Sequence, residues 1–237
     1  MSGRRPCIAI DGPVSAGKST IARLVAGELG YAYVDSGAMY RALAWASREA
    51  GVSPEEVAGV RSLLDSVEIE LVPQSGGANR VMVNGREITE EIRAPEIGQL
   101  SSQLSEISEV RERMVALQRE MAREGGVVME GRDIQTVVMP EAEVKIFLTA
   151  PAEERARRRY LELRERGFEA ELQTVLAEIQ KRDGRDSNRE HSPLRAAPEA
   201  VVVDSGGLSI EEVVARVLAV IREKRAAVSG ASDAGTD

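Results

Sequence analysis

Gly12-Pro13-Val14-Ser15-Ala16-Gly17-Lys18-Ser19 is the stretch on which the reading of this chain turns. It fits the pattern GxxxxGK[ST], and its flanks supply the context that pattern needs. Before it, Cys7 to Ile10 is an apolar run that predicts a strand buried on both faces; after it, Lys18 to Leu29 has a helical pattern. Backbone N–H groups in such a loop converge on phosphate oxygens, the helix N-terminus adds positive potential, and the glycines allow conformations that a Cβ would obstruct. Gly12, Pro13, Val14, Ser15, Ala16, Gly17, Lys18, Ser19 and Thr20 are therefore assigned to a nucleotide donor. Lys18 is expected to reach its β and γ phosphates, with the Ser19 hydroxyl completing the coordination of Mg²⁺.

Outward from the loop, Tyr31 to Val34, Val127 to Met129, Val144 to Leu148 and Ala200 to Val203 are further buried-strand candidates, and helical segments such as Met39 to Glu49 lie between strands. Strands alternating with helices predict an α/β fold with a five-stranded parallel sheet flanked by helices. Two segments break the rhythm. Val67 to Ile88 alternates apolar and polar residues around Gly76-Gly77 and Asn84-Gly85, which predicts a small antiparallel β insert. Ala152 to Arg166, containing EERARRRYLELRERG, is helical in propensity but too polar for a core, so it is expected at the surface and free to move. The residues after Arg225 are small and polar without periodicity and are expected to be disordered. No internal repeat is found.

With 237 residues and 43% hydrophobic side chains the chain fits one elaborated domain. No run of eighteen apolar residues exists, so a membrane span is not expected, and the N-terminal apolar stretch is too short for a signal sequence. The expected location is cytoplasmic. Cys7 reads as a buried strand residue, and His191 stands alone, so a zinc site is not expected. The net charge of −8 argues against broad binding to nucleic acid.

The partner of the donor has to be sought elsewhere. Asp35-Ser36-Gly37-Ala38-Met39-Tyr40-Arg41 follows the second strand, placing Ser36 or Asp35 at a helix N-terminus and Arg41 in its first turns; this suits an anion, or is an ordinary helix cap with a solvated arginine. Glu130-Gly131-Arg132-Asp133 follows another strand, at the sheet edge where open α/β folds bind ligands. Arg132 can clamp a phosphate. Asp133 can accept from an exocyclic amine, hold a metal-bound water, or cap the next helix. Arg182-Asp183-Gly184-Arg185-Asp186-Ser187-Asn188-Arg189 packs three arginines and two aspartates into a short span, a pattern equally open to a solvated helix end.

Taken together, GPVSAGKS, DSGAMYR, Ser102-Gln103, Val110-Arg111-Glu112, EGRDI, VKIFL with EERARRR, and RDGRDSNR resemble the bacterial cytidylate kinase family, in order and spacing, from about Ile8 to Val203. The resemblance implies a nucleoside-monophosphate kinase domain over 1–237, with a core of about 6–60, 95–150 and 167–225, an acceptor-domain insert of about 61–94, a lid of about 151–166 and a tail of about 226–237. It implies ATP and Mg²⁺ as donor and metal, CMP and dCMP as acceptors, and a monomer. By position, Ser102, Arg111 and Asp133 would read the cytosine ring; Asp186 with Arg182 would hold the sugar; Ser36, Tyr40, Arg41, Gly131, Arg132 and Arg189 would line the acceptor phosphate site. Lys18, Arg132, Arg158 and Arg189 would supply catalytic charge, with Arg157 and Arg159 as further lid arginines, Arg157 on the donor. Two positions depart from the family pattern: Glu130 stands where aspartate commonly precedes GRD, and Ser19 where several relatives have glycine. The competing expectations are a P-loop regulatory ATPase without a small acceptor and a kinase of UMP or another small molecule.

Overall fold

The computed structural model describes residues 5–74 and 78–233. Five strands form one parallel sheet: β1 (Ile8–Asp11), β2 (Ala32–Asp35), β6 (Val127–Gly131), β7 (Val144–Thr149) and β8 (Val201–Asp204), in the order β2-β6-β1-β7-β8. All five match expected apolar runs, shifted by a residue or two at their ends. The runs of β1, β6 and β7 are continuous because both their faces are covered, while the edge strands β2 and β8 are partly exposed, Val202 by 60%. Ile8 and Ile10 pack with Ile21 and Val25 of α1 (Lys18–Leu29) and with Val217 and Ile221 of α8 (Ile210–Asp233). Ala9 and Met129 turn the other way, toward Val115 of α5 (Ser108–Ala122) and Ile134.

Between β2 and β6 lie α2 (Ser36–Glu49), α3 (Val57–Ser66), a three-stranded antiparallel sheet of β3 (Ile69–Val72), β4 (Arg80–Val83) and β5 (Arg86–Glu87), α4 (Pro95–Leu104), and α5. The β4–β5 turn is the expected Asn84-Gly85, with φ of 48° and 77°, the pair of positive values a tight two-residue hairpin turn requires. The Gly76-Gly77 turn lies outside the described residues. The small sheet has no core of its own. Ile69, Val81, Val83 and Ile88 pack on Leu43 and Trp45 of α2, Ile97 and Leu104 of α4, and Met114 of α5.

Between β7 and β8 come α6 (Ala152–Glu165) and α7 (Leu172–Asn188), joined over Ala156, Leu163, Val175 and Ile179. The expectation of disorder after Arg225 is corrected by α8, which continues to Asp233; residues 234–237 lie outside the described part. The helix is anchored on the core through Val213, Val217 and Ile221 and carried on through Glu223, Lys224 and Ala226.

Candidate active site

Every parallel strand ends at the same edge of the sheet, so the segments that follow β1, β2, β6, β7 and β8 meet there. The first is the phosphate loop. Gly12 has φ 154°, and a Cβ on it would stand 1.9 Å from the Leu148 carbonyl oxygen of β7, so only glycine lets the loop leave β1 this close to its neighbour. Gly17 caps α1 at φ 92° and Ser15 holds φ 59°, a conformation uncommon for a residue with a side chain. Lys18 is buried and donates from Nζ to the Pro13 carbonyl at 2.8 Å, curling over the loop. Val14 through Thr20 line the cavity described below, while Gly12 and Pro13 lie behind them.

That cavity has a volume of about 770 Å³. Among the described residues, eleven lysine and arginine side chains and five carboxylates line it, in a chain of net charge −8. Cations so concentrated repel one another, and an anion entering relieves that repulsion. Burial, with Arg132 alongside, holds the Arg182 guanidinium below its usual range, at about 10, while its Nε has no hydrogen-bond partner. Burial pushes the Lys18 ammonium down and its neighbour Glu130 up, Arg132 and Asp35 adding to each effect. The Tyr40 hydroxyl, Arg111 Nε, and Arg189 Nε and Nη2 are also buried and unpartnered, a cost that ligand oxygens would offset. Burial raises the Tyr40 phenol to about 12, so it stays a donor near neutrality.

On the α2 side, Asp35 is the helix cap: Oδ1 accepts from the Ala38 N–H at 2.8 Å and Oδ2 from Arg41 at 3.0 Å. Asp35 is therefore a helix cap, and the arginine is paired rather than solvated, while Ser36, Tyr40 and Arg41 all line the cavity. Ser36 Oγ donates to the Glu130 carbonyl at 2.7 Å. Gly131 is needed there, since a Cβ would meet Ser36 Oγ at 2.5 Å.

The turn after β6 removes one of the readings left open for Asp133, that of a helix cap. It makes no capping bond to the wide turn at Ile134–Val138; Asp11 does that, taking the Ile134 and Gln135 N–H groups on its two oxygens at 3.0 and 2.8 Å. The Asp133 carboxylate instead pairs with Arg111 of α5, with side chains 8% and 6% exposed. Arg111 also donates to the Ser105 carbonyl at 3.3 Å and lies over the Tyr40 ring, 5.9 Å from its centroid. Ser102 of α4 is buried beside this pair, its hydroxyl accepting from Arg185 at 3.0 Å. From α7, Asp186 accepts from Arg132 Nε at 2.9 Å, and Arg182 and Arg189 face the same space. The RDGRDSNR segment is thus a helix end whose Arg182, Asp186 and Arg189 turn inward while Gly184, Ser187 and Asn188 face solvent.

The lid arginines divide. Arg158 and Arg159 line the cavity, Arg158 donating to the Ser205 hydroxyl and carbonyl at 3.0 and 2.8 Å and pairing with Glu154 at 2.6 Å. Arg157, expected on the donor, is exposed and off the cavity wall. The helical period fits this: Arg158, Arg159, Glu162 and Arg166, which line the cavity, share one stripe, and 157 falls outside it. Sequence reading missed Ser205 and the Leu208 to Ile210 wall after β8, recognisable only as residues following a strand, and Ser105 and Glu162. It also left Glu130 without a bonding partner; its carboxylate accepts from Ser19 Oγ at 2.6 Å.

A parallel sheet with a phosphate loop at its carboxyl edge and a cation-walled cleft beyond it defines a P-loop nucleotide-binding protein. The family model described as cytidylate kinase matches residues 8–223. A cytidylate kinase of Geobacter sulfurreducens is 51% identical, covering 97% of this chain and 99% of the relative, and one of Carboxydothermus hydrogenoformans is 50% identical over 92% and 97%. Among solved structures, an uncharacterized protein from Eubacterium ventriosum superposes with TM-score 0.51 at 12% identity, covering 92% of this chain and 99% of that one, a likeness of fold alone. The chain belongs to the cytidylate kinase family, and it is an enzyme, a phosphotransferase.

Proposed function

We propose that the enzyme transfers the γ-phosphoryl group of ATP to CMP, and to dCMP, forming the diphosphate. The observation that carries this is the meeting, in one cleft, of the phosphate loop with the buried Arg111–Asp133 pair and the arginines at 41, 132, 182 and 189. Donor phosphates fit the loop, the acceptor phosphate fits the arginines, and a pyrimidine fits the carboxylate between Arg111 and Ser102. All these residues come from one chain, so the proposed catalytic unit is a monomer. ATP and CMP are cytoplasmic metabolites, the ground for placing the enzyme there; among the described residues no helix is long and apolar enough to cross a membrane.

In the proposed reaction an oxygen of the CMP phosphate attacks the γ-phosphorus in line, the bond to the β–γ bridging oxygen breaks, and ADP leaves. That oxygen is already anionic near neutrality, so no general base is required; positioning and charge stabilisation carry the acceleration. Lys18 follows the β and γ oxygens, while Arg132 and Arg189 hold the acceptor phosphate and Arg158 or Arg159 meets the transferring group. Ser19 Oγ and the Glu130 carboxylate, 2.6 Å apart, offer the few hard oxygens that Mg²⁺ takes alongside phosphates and water. When bound, the ion neutralises charge developing between the β and γ phosphates.

The C4 amino group of cytosine can donate to Asp133, whereas uracil would set a carbonyl against a carboxylate. ATP labelled at the γ-phosphate and mixed with CMP tests the reading: label is expected in CDP, and label released only as inorganic phosphate would refute it.

A further inference from the structure

One buried arginine outside the proposed cluster touches three parts of the molecule at once. Arg155, near the start of α6, is 5% exposed. Its Nε donates to the Ala150 carbonyl at the end of β7 at 2.9 Å, its Nη1 to the Val14 carbonyl of the phosphate loop at 3.2 Å, and its Nη2 to Asp183 Oδ2 of α7 at 2.7 Å. All three nitrogens are used on three separate segments. Val14 itself packs its side chain on the α6–α7 core of Ala156, Val175 and Ile179. The phosphate loop is thus clipped to the α6–α7 pair by an apolar contact and a charge-assisted one.

The far side of the same clip faces the acceptor. Asp183 stands one helical turn before Asp186, which binds Arg132, and next to Arg182; both Arg182 and Asp186 line the cavity while Arg155 and Asp183 do not. The separation between the donor loop and the α7 side chains therefore depends on a guanidinium that meets neither ligand.

We infer that Arg155, held by Asp183, is a positioning residue for phosphoryl transfer, fixing the phosphate loop against the face of α7 that carries Arg182 and Asp186. This rests on the reading of the loop as the donor site. In-line transfer tolerates little displacement, so a shift of the loop relative to α7 lowers turnover and weakens the donor while leaving the acceptor's own contacts in place. Lysine at 155 keeps the charge but is a single point donor that cannot bridge two carbonyls and a carboxylate together.

The test compares wild type with Arg155→Lys, Asp183→Asn and Asp183→Glu, measuring kcat, KM for ATP, the Kd for CMP, and Tm. Arg155→Lys and Asp183→Asn are each expected to lower kcat/KM for ATP by about tenfold or more, the scale of one charge-assisted bond. CMP affinity should stay within about twofold, Asp183→Glu should recover most of the loss, and the double variant should lose less than the product of the singles. If Tm falls while kcat/KM for ATP holds, the pair is only structural and the inference fails; it fails equally if CMP affinity drops in parallel or if glutamate rescues nothing. Should Arg155→Lys not fold, the two Asp183 variants decide. Should wild type itself show no CMP-dependent turnover, the proposed reaction fails separately; the Kd for ATP of each variant then decides, an unchanged value overturning the clip.

Discussion

In the proposed reaction the Lys18 ammonium serves the donor's terminal phosphates, and its hydrogen bond runs to the phosphate loop at Pro13 rather than to the acceptor cluster. Lys18→Ala is expected to lower kcat on the order of 10²- to 10³-fold with the Kd for CMP unchanged, read by steady-state kinetics beside equilibrium binding. Asp133→Ala should narrow the ratio of kcat/KM for CMP over UMP by about 10- to 100-fold, because a site that pairs a polar group discriminates through that pair. The same change leaves Arg111 buried and unpaired, so it should cost about 3–5 kcal/mol of stability in a urea titration. Asp186 has its own pH signature. Burial opposes its ionisation, yet Arg132, Arg182 and Arg189 outweigh burial and hold its pKa below the usual carboxylate range. Its contribution is complete above the unfolded value, about 3.9, and disappears as pH falls through the depressed folded value. The Tm gap between wild type and Asp186→Asn should therefore be constant from pH 7 to 5 and shrink below 4. At this scale the sequence named the residues better than their bonds. Lys18, Arg132 and Asp133 were legible because motif and strand end fix where they sit. That Asp11 caps the turn, freeing Asp133 for Arg111, was not, since it depends on two segments more than 120 positions apart.

Among the elements, β1 and the loop after it set the closest tolerance. Gly12→Ala would drive a methyl into the Leu148 carbonyl, and the loop and β7 cannot both stay in place. It should cost about 3 kcal/mol and abolish ATP binding, measurable by thermal melting with and without nucleotide. The central strands were legible because apolar runs buried on both faces have few other homes, the edge strands β2 and β8 because they repeat the strand–helix rhythm, and Asn84-Gly85 fixed the hairpin through its own backbone preference. The α6 arginines were legible as a helix but not by role; applying the 3.6-residue period would have separated 155, 158 and 159 from 157. The tail misled through composition, as small polar residues signal disorder unless alanine and a packed helix stand upstream.

In the whole molecule, three apolar assemblies meet at the cleft: the sheet with its two helical faces, the α2–α5 unit holding the small sheet, and the α6–α7 pair. Polar bridges span it between the α6–α7 pair and the α2–α5 unit, among them Arg185 to Ser102 and to Glu106, each at 3.0 Å, and Arg166 to Glu90 at 3.7 Å. Such an arrangement can close on ligands as a hinge, excluding water when both substrates are present. The alternation of Val67 to Ile88 announced the small sheet, but not the way the α2–α5 unit and the α6–α7 pair face each other across the cleft, which joins segments distant in the chain. The measurement that bears most directly on the account is ADP production from ATP and Mg²⁺ with CMP, dCMP, UMP, AMP, GMP, shikimate or no acceptor. The account predicts rapid ADP formation with CMP and dCMP, much slower formation with UMP, and almost none without acceptor. ADP appearing at one rate whether or not CMP is present would contradict it.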